Sequence, residues 1–190
     1  MKQSLNRGLR FCGKPMALTR TRSGFTLVEV LVAMVIIGVL ISIASSQISA
    51  NLPEWRVKGA ANETVSAFQK ARALAVKKNK FALVDITSIG NVTANEVSVW
   101  VDENHSTTVE AGTDTMFHKL VVNNQYPKAF ITSSTDGGGG TTSTFVLTPE
   151  GVIRGGIMPI TITFDSTAGT LNRTYKIVVE RTGIARLQIN

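Results

Sequence analysis

A carboxylate set inside an apolar run is the feature of this chain that most demands a chemical partner. From Phe25 to Ile48 the sequence reads FTLVEVLVAMVIIGVLISIASSQI, and Glu29 is its one charged residue. A helix of that length reaches about 36 Å, enough to cross a hydrocarbon core of about 30 Å. An acidic side chain in such a span costs about 2.5–3.5 kcal/mol on insertion scales and needs compensation. Two sources lie close by. The first turn of a helix carries the positive end of the dipole, which favours a carboxylate, and positions 25 and 29 are one turn apart. A cut after Gly24 would also give Phe25 a free amine, with a reference pKa of about 7.7–8 and therefore mostly protonated at neutral pH. That ammonium can pair with Glu29 of its own chain or of a neighbour.

Other chemistry is thinly represented. His105 and His118 are the two histidines, and neither stands in a metal-ligand pattern with cysteine or carboxylate. Gly137–Gly140 is a run of four glycines without the Lys-Ser/Thr of a phosphate cradle, and reads as a flexible loop tip. No GxSxG elbow or SxxK pair occurs. No catalytic, cofactor-binding or metal-ligating residue is expected, and the chain is not expected to be an enzyme.

The elements that must position Glu29 begin with a basic leader. Twenty lysines and arginines oppose thirteen acids, for a net charge of +7. Six of those basic residues, Lys2, Arg7, Arg10, Lys14, Arg20 and Arg22, lie within residues 1–24, which hold no acid, so the remainder is nearly neutral. The excess charge therefore speaks for a cytoplasmic leader under the positive-inside rule and against a nucleic-acid partner. An ordinary secretory signal would have an apolar core of about 7–15 residues, shorter than this run. Cys12, the single cysteine, falls in the leader, and initiation at Met16 would give the compact form MALTRTRSG without it.

Beyond the span, Pro53 is expected to kink or interrupt the helix. Ala61, Val65, Phe68, Ala71 and Ala75 then recur at helical spacing, predicting an amphipathic helix over 53–80 that ends near Lys77, Lys78 and Lys80. From Phe81 the period changes to two. Strands are expected at Phe81–Thr87, Glu96–Asp102, Phe117–Val122, Ala129–Ser133, Thr144–Leu147, Ile160–Asp165, Tyr175–Arg181 and Ala185–Ile189, with turn residues between them. The predicted fold is α+β: a leader over 1–24, one long helix with a membrane-spanning half over 25–52 and the amphipathic half over 53–80, and a small antiparallel β-domain over 81–190 packed on that second half.

The string Gly24-Phe25-Thr26-Leu27-Val28-Glu29, after a basic stretch and before about twenty apolar residues, resembles the signature of type IV prepilins and type II secretion pseudopilins. The resemblance implies that a prepilin peptidase cuts between Gly24 and Phe25 and methylates the new terminus at Phe25. It also implies that Glu29 supports docking into a filament. ANETVSAFQKARALAVKKN (Ala61–Asn79), ITFDSTAG (Ile162–Gly169) and KIVVERTGIARLQ (Lys176–Gln188) look like the pseudopilin H/FimT group. A pilin-like architecture follows, as does a single-pass place in the bacterial inner membrane with the amino terminus cytoplasmic and the carboxyl-terminal domain periplasmic.

The expected role is structural: a minor pseudopilin of a type II secretion pseudopilus, at a tip or initiation position, meeting other pilin-like subunits and the inner-membrane assembly platform. A minor type IV pilin serving pilus biogenesis or DNA uptake is the alternative. Relatives that take up DNA use a Gly-Arg-x-Arg pattern, and here Gly183 is followed by Ile184-Ala185-Arg186, which lacks its first arginine. A third reading is an uncleaved, membrane-anchored binding module.

Overall fold

The computed structural model describes residues 24–167, 171 and 173–190. These fall into two units, one ending at Ala44 and one running from Ser45 to Asn190. Residues 1–23 of the basic leader, with Cys12 and Met16, lie outside the described residues, as do Ala168 and Gly169 of the ITFDSTAG segment.

Helix α1 spans Leu27–Lys78. Pro53 lies inside it without interrupting it, so the membrane half and the amphipathic half form the one long helix of the predicted fold. The missing proline N–H leaves the Ser49 carbonyl without its ladder donor, and Ser49 is exposed, so solvent can serve it. Nearby carbonyls gain side-chain donors: Ser49 Oγ donates to Ser45 O at 3.0 Å and Asn51 Nδ2 to Gln47 O at 3.0 Å. The helix ends where expected, and the reason is visible. Asn79 adopts φ +52 and the Lys80 N–H reaches the Ala75 carbonyl at 3.3 Å, the left-handed stop of a Schellman turn. Lys77 and Lys78 occupy the last turn, where the dipole is negative.

Within Ser45–Asn190, α1 buries Val57, Ala60, Ala61, Ala67, Phe68, Ala71 and Ala75 in one core with both sheets. Small alanines let the backbone approach the strands, and Phe68 fills the centre, edge-on to Phe145 with ring centroids 5.2 Å apart. Thr64 is also fully buried on this face, its hydroxyl donating to Ala60 O at 2.9 Å. Val65, expected in the stripe, is only partly buried.

The strands form two antiparallel sheets. The first, in the order β3-β2-β1-β5-β6, uses β1 (Ala82–Thr87), β2 (Glu96–Val101), β3 (Thr115–Val121), β5 (Thr144–Leu147) and β6 (Ile153–Arg154). The second, in the order β4-β7-β8-β9, uses β4 (Ala129–Thr135), β7 (Ile160–Ser166), β8 (Tyr175–Val179) and β9 (Ala185–Ile189). Register places like with like: Ile160 faces Val179, Ile162 faces Ile177 and Phe164 faces Tyr175, all buried, while Thr161, Thr163 and Lys176 alternate on the other face.

All eight expected strands are present, Thr144–Leu147 and Ala185–Ile189 with the expected ends and the other six with shifted ones. β3 starts at Thr115 and gives way at Val122 to a single helical turn, α2 (Val122–Gln125). β8 stops at Val179 because Glu180 begins the turn to β9, with the Gly183 N–H on Glu180 O at 2.9 Å. Gly183 has φ +71 and an added Cβ would lie 2.5 Å from Gly151 O, so this corner admits only glycine. β6 was not expected: two residues are too short for a period to show.

Candidate processing and assembly site

Thr26 organises the amino-terminal end of α1. Its side-chain oxygen accepts the Glu29 N–H at 3.2 Å and its carbonyl accepts the Val30 N–H at 3.3 Å. Leu27 being the first helical residue, Thr26 is the N-cap and Glu29 the third position of the first turn, the spacing of a capping box. Glu29 therefore lies in the first turn, whose amide donors no earlier turn uses and whose dipole end favours a carboxylate.

Gly24 and Phe25 precede the cap in non-helical backbone, and Phe25 is 81% exposed. A Cβ added to Gly24 would meet nothing within 4 Å. Glu29 is exposed as well, and among the described residues no basic group pairs with it. A small residue, an exposed phenylalanine, a cap and a carboxylate thus fall within six consecutive residues. Thr26 belongs to the motif that the sequence displays around Gly24, Phe25 and Glu29, but its capping role was not expected, although the T-x-x-E pattern signals it.

The helix that follows has no buried face up to Ala44. Large apolar side chains from Leu27 through Ile43 are between 46% and 81% exposed. The stretch has a mean hydropathy of 2.8 and is long enough to cross a membrane. Burying each such side chain is worth about 1.5–3 kcal/mol, so lipid or other helices must cover it.

The two histidines lie elsewhere. His105 sits in the β2–β3 loop, its ring edge-on to Phe81 at 5.4 Å. His118, on β3, comes within 3.9 Å of the Glu63 carboxylate, which also accepts the Tyr126 hydroxyl at 2.9 Å. Burial and the nearby Lys70 ammonium hold the His118 imidazole below its ordinary value, against the opposing pull of Glu63. Among the described residues no group of three or more histidines, cysteines and carboxylates is arranged to hold a metal ion.

Residues 19–45 match the prokaryotic N-terminal methylation motif, and residues 60–183 match the model of the type II transport protein GspH. The chain belongs to the GspH family. Among solved structures, it is similar to the minor pseudopilin EpsH from the type II secretion system of Vibrio cholerae. The two are 11% identical with a TM-score of 0.50, over 70% of this chain and 96% of that one. It is also similar to the type IV minor pilin FimU of Pseudomonas aeruginosa, 13% identical with a TM-score of 0.46, over 70% of this chain and 87% of that one. No curated protein matches the sequence. The fold is pilin-like, as the sequence implied, and GspH membership makes this a minor pseudopilin- or pilin-like subunit, anchored in a membrane by α1 with its β-domain outside the cytoplasm. The methylation motif implies processing by a prepilin peptidase and assembly with pilin-like subunits.

Proposed function

We propose that this GspH-family chain is a minor subunit of a type II secretion pseudopilus, recruited at a tip or initiation position. It enters the bacterial inner membrane with its leader cytoplasmic and its β-domain periplasmic. A prepilin peptidase cuts between Gly24 and Phe25 and methylates the Phe25 amine. On the assembly platform, Glu29 then pairs with the Phe25 ammonium of a neighbouring subunit, giving register to helices whose hydrocarbon surfaces carry little of their own. Its contribution is structural, with no catalytic step.

The observation that carries this reading is the joining, in one chain, of the methylation motif at 19–45 to the GspH match at 60–183. The local geometry supports it: Thr26 fixes the first turn so that Glu29 stands one turn from Phe25, and both are exposed to a partner.

Mass spectrometry of the membrane-extracted protein should find a methylated Phe25 terminus; an intact leader would instead mean a permanently anchored module. Glu29→Ala should still insert and be cut at Gly24 but lose filament incorporation, and normal recovery of that variant in filaments would remove the proposed pairing. Deleting the chain should impair protein secretion while leaving pili intact; the opposite pattern would assign it to a type IV pilus.

A further inference from the structure

Each sheet ends on two strands whose outer backbone groups need partners or solvent. Three of these four edges are blunted. β3 carries a bulge that leaves Phe117 without a partner on β2. β6 is two residues long. β4 is covered by the β1–β2 loop: the Gly90 N–H reaches Ile131 O at 2.8 Å, and the Asn95 side-chain oxygen accepts the Ile131 N–H. β9 differs. Its register with β8 runs unbroken from Ala185 to Ile189, and it has no second strand neighbour. Thr174 and Asn190 exchange both backbone bonds, at 2.8 and 3.1 Å, so by antiparallel alternation Gln188 and Arg186 bond inward to β8. The N–H and C=O groups of Ala185, Leu187 and Ile189 therefore point to the open side, where none of the hydrogen bonds of the described residues reaches them.

Helix α1 stands beside this edge across a groove of about 560 Å³, lined by Arg72, Ala73, Val76 and Lys77 and by Ile184 and Ala185 at the start of β9. Val76 is 55% exposed there. On an added strand, a residue opposite Ala185 would share its face and enter the groove, while one opposite Arg186 would lie on the outer face with Lys176 of β8. The surrounding charge is of one sign. Arg72, Lys77, Lys176, Arg181 and Arg186 flank the edge, and none of them is in an ion pair among the described residues. Glu150 and Glu180 are the acids of the flanking turns. At the far end Glu54 is matched by Arg173, both acting on Tyr175, and Glu63 is held on the β3 side by the Tyr126 hydroxyl. A second copy is a poor occupant. Two β9 strands paired symmetrically at Leu187 would set each Arg186 diagonal to the other, about 7–8 Å apart with no acid between them.

We propose that the open edge of β9 receives an extended segment of a different pilin-like subunit by strand addition. That segment alternates apolar residues, one of them seated in the groove at Ala73 and Val76, with acidic residues opposite Arg186 and Gln188. The strand addition rests on the assembly reading above and gives assembly a contact apart from Glu29.

In cells that make the filament, Leu187→Pro removes the central outward N–H and leaves the bonds to β8 in place, since an edge strand tolerates proline where its N–H faces solvent. Arg186→Glu, at an exposed position, sets like charge against the incoming acids and carries the test if a urea midpoint shows Leu187→Pro to be destabilised. Both variants should be cut at Gly24 as wild type is. Filament recovery should fall about tenfold for Leu187→Pro and about fivefold for Arg186→Glu. In vitro, the full chain in detergent micelles is offered acetyl-Val-Glu-Val-Glu-Val-amide or its lysine counterpart. The acidic peptide should slow exchange of the Ala185, Leu187 and Ile189 amides and leave those of Arg186 and Gln188, already bonded to β8, unchanged. Equal protection by the two peptides would overturn the charge match. Protection that rises with protein concentration alone would give the edge to a second copy and overturn the foreign strand. Normal filament recovery of both variants while Glu29→Ala is excluded would overturn the strand addition and leave the assembly reading standing. Normal recovery of all three would overturn both.

Discussion

Leu40 and Phe68 are both large apolar side chains on α1, yet Leu40 is 60% exposed and Phe68 is fully buried. From Val30 to Ile41 every residue is apolar, so no face is distinguished, and none of the described residues buries Leu40. Around Phe68 the apolar residues keep to one stripe, with Asn62, Gln69, Lys70 and Arg72 exposed between them, and two sheets close over that stripe. Hydrophobicity alone therefore does not say where a residue is buried; its angular distribution does. An all-round apolar helix has its partner in lipid or in other subunits, whereas a striped one finds its partner in its own domain. The same division separates what this protein does with others from what it needs to fold.

The comparison breaks or holds most visibly in stability. Phe68→Ala removes a fully buried ring and should cost the β-domain about 3–5 kcal/mol. Leu40→Ala removes a comparable side chain from a surface the domain does not use and should leave its unfolding unchanged. Urea titration of the full chain in detergent, followed through Trp100 in a Trp55→Phe background, reads both. Equal losses would mean that the apolar stretch is part of the domain's core.

Much of this was legible in the sequence, because each region has a strong period. The apolar run, the stripe from Ala61 to Ala75, and alternation such as Ile160-Thr161-Ile162-Thr163-Phe164 each announce their element. What was misread depends on information that a period does not carry. Pro53 was expected to kink or interrupt the helix and does not interrupt it, since an exposed carbonyl one turn earlier can lose its donor cheaply when solvent is at hand. β6 is held by its pairing with Val146 and Leu147 and by the Ile153 N–H on Arg181 O at 2.8 Å, the latter a contact distant in sequence. At the candidate site Gly24, Phe25 and Glu29 stood out by type and spacing; Thr26 did not, because a threonine ahead of an apolar run looks ordinary until its hydroxyl is seen on the Glu29 amide.

A smaller effect sharpens the boundary at the other end of the helix. Thr26→Ala removes the cap and should loosen the first turn by about 1 kcal/mol, about fivefold in amide exchange at Glu29. Amides near Phe68 should not respond, since their protection comes from the packed domain. Hydrogen exchange of the full chain in detergent reads both ends at once. A uniform rise in exchange along α1 would show the two stretches to be one cooperative unit.

The smallest expected effect is a pH dependence confined to the striped half. His118 is partly buried between β3 and the helix, with Lys70 and Glu63 as its charged neighbours. Because burial and Lys70 keep its folded value below that of a free imidazole, the unfolded chain takes up the proton first as pH falls. Stability from this group is therefore fully present above about pH 6.5 and declines as pH drops from there toward the folded value. Glu63 tempers the loss while it stays ionised, and its bond from the Tyr126 hydroxyl holds it in place to do so. Urea midpoints of the β-domain should fall between about pH 7 and about pH 5.5. His118→Gln should flatten that slope without lowering the midpoint at the upper end, while the exchange of amides from Val30 to Ala44, a stretch with no histidine, stays unchanged. A slope that survives His118→Gln would move its origin to another titrating group and leave the Glu63–Tyr126 contact as packing alone.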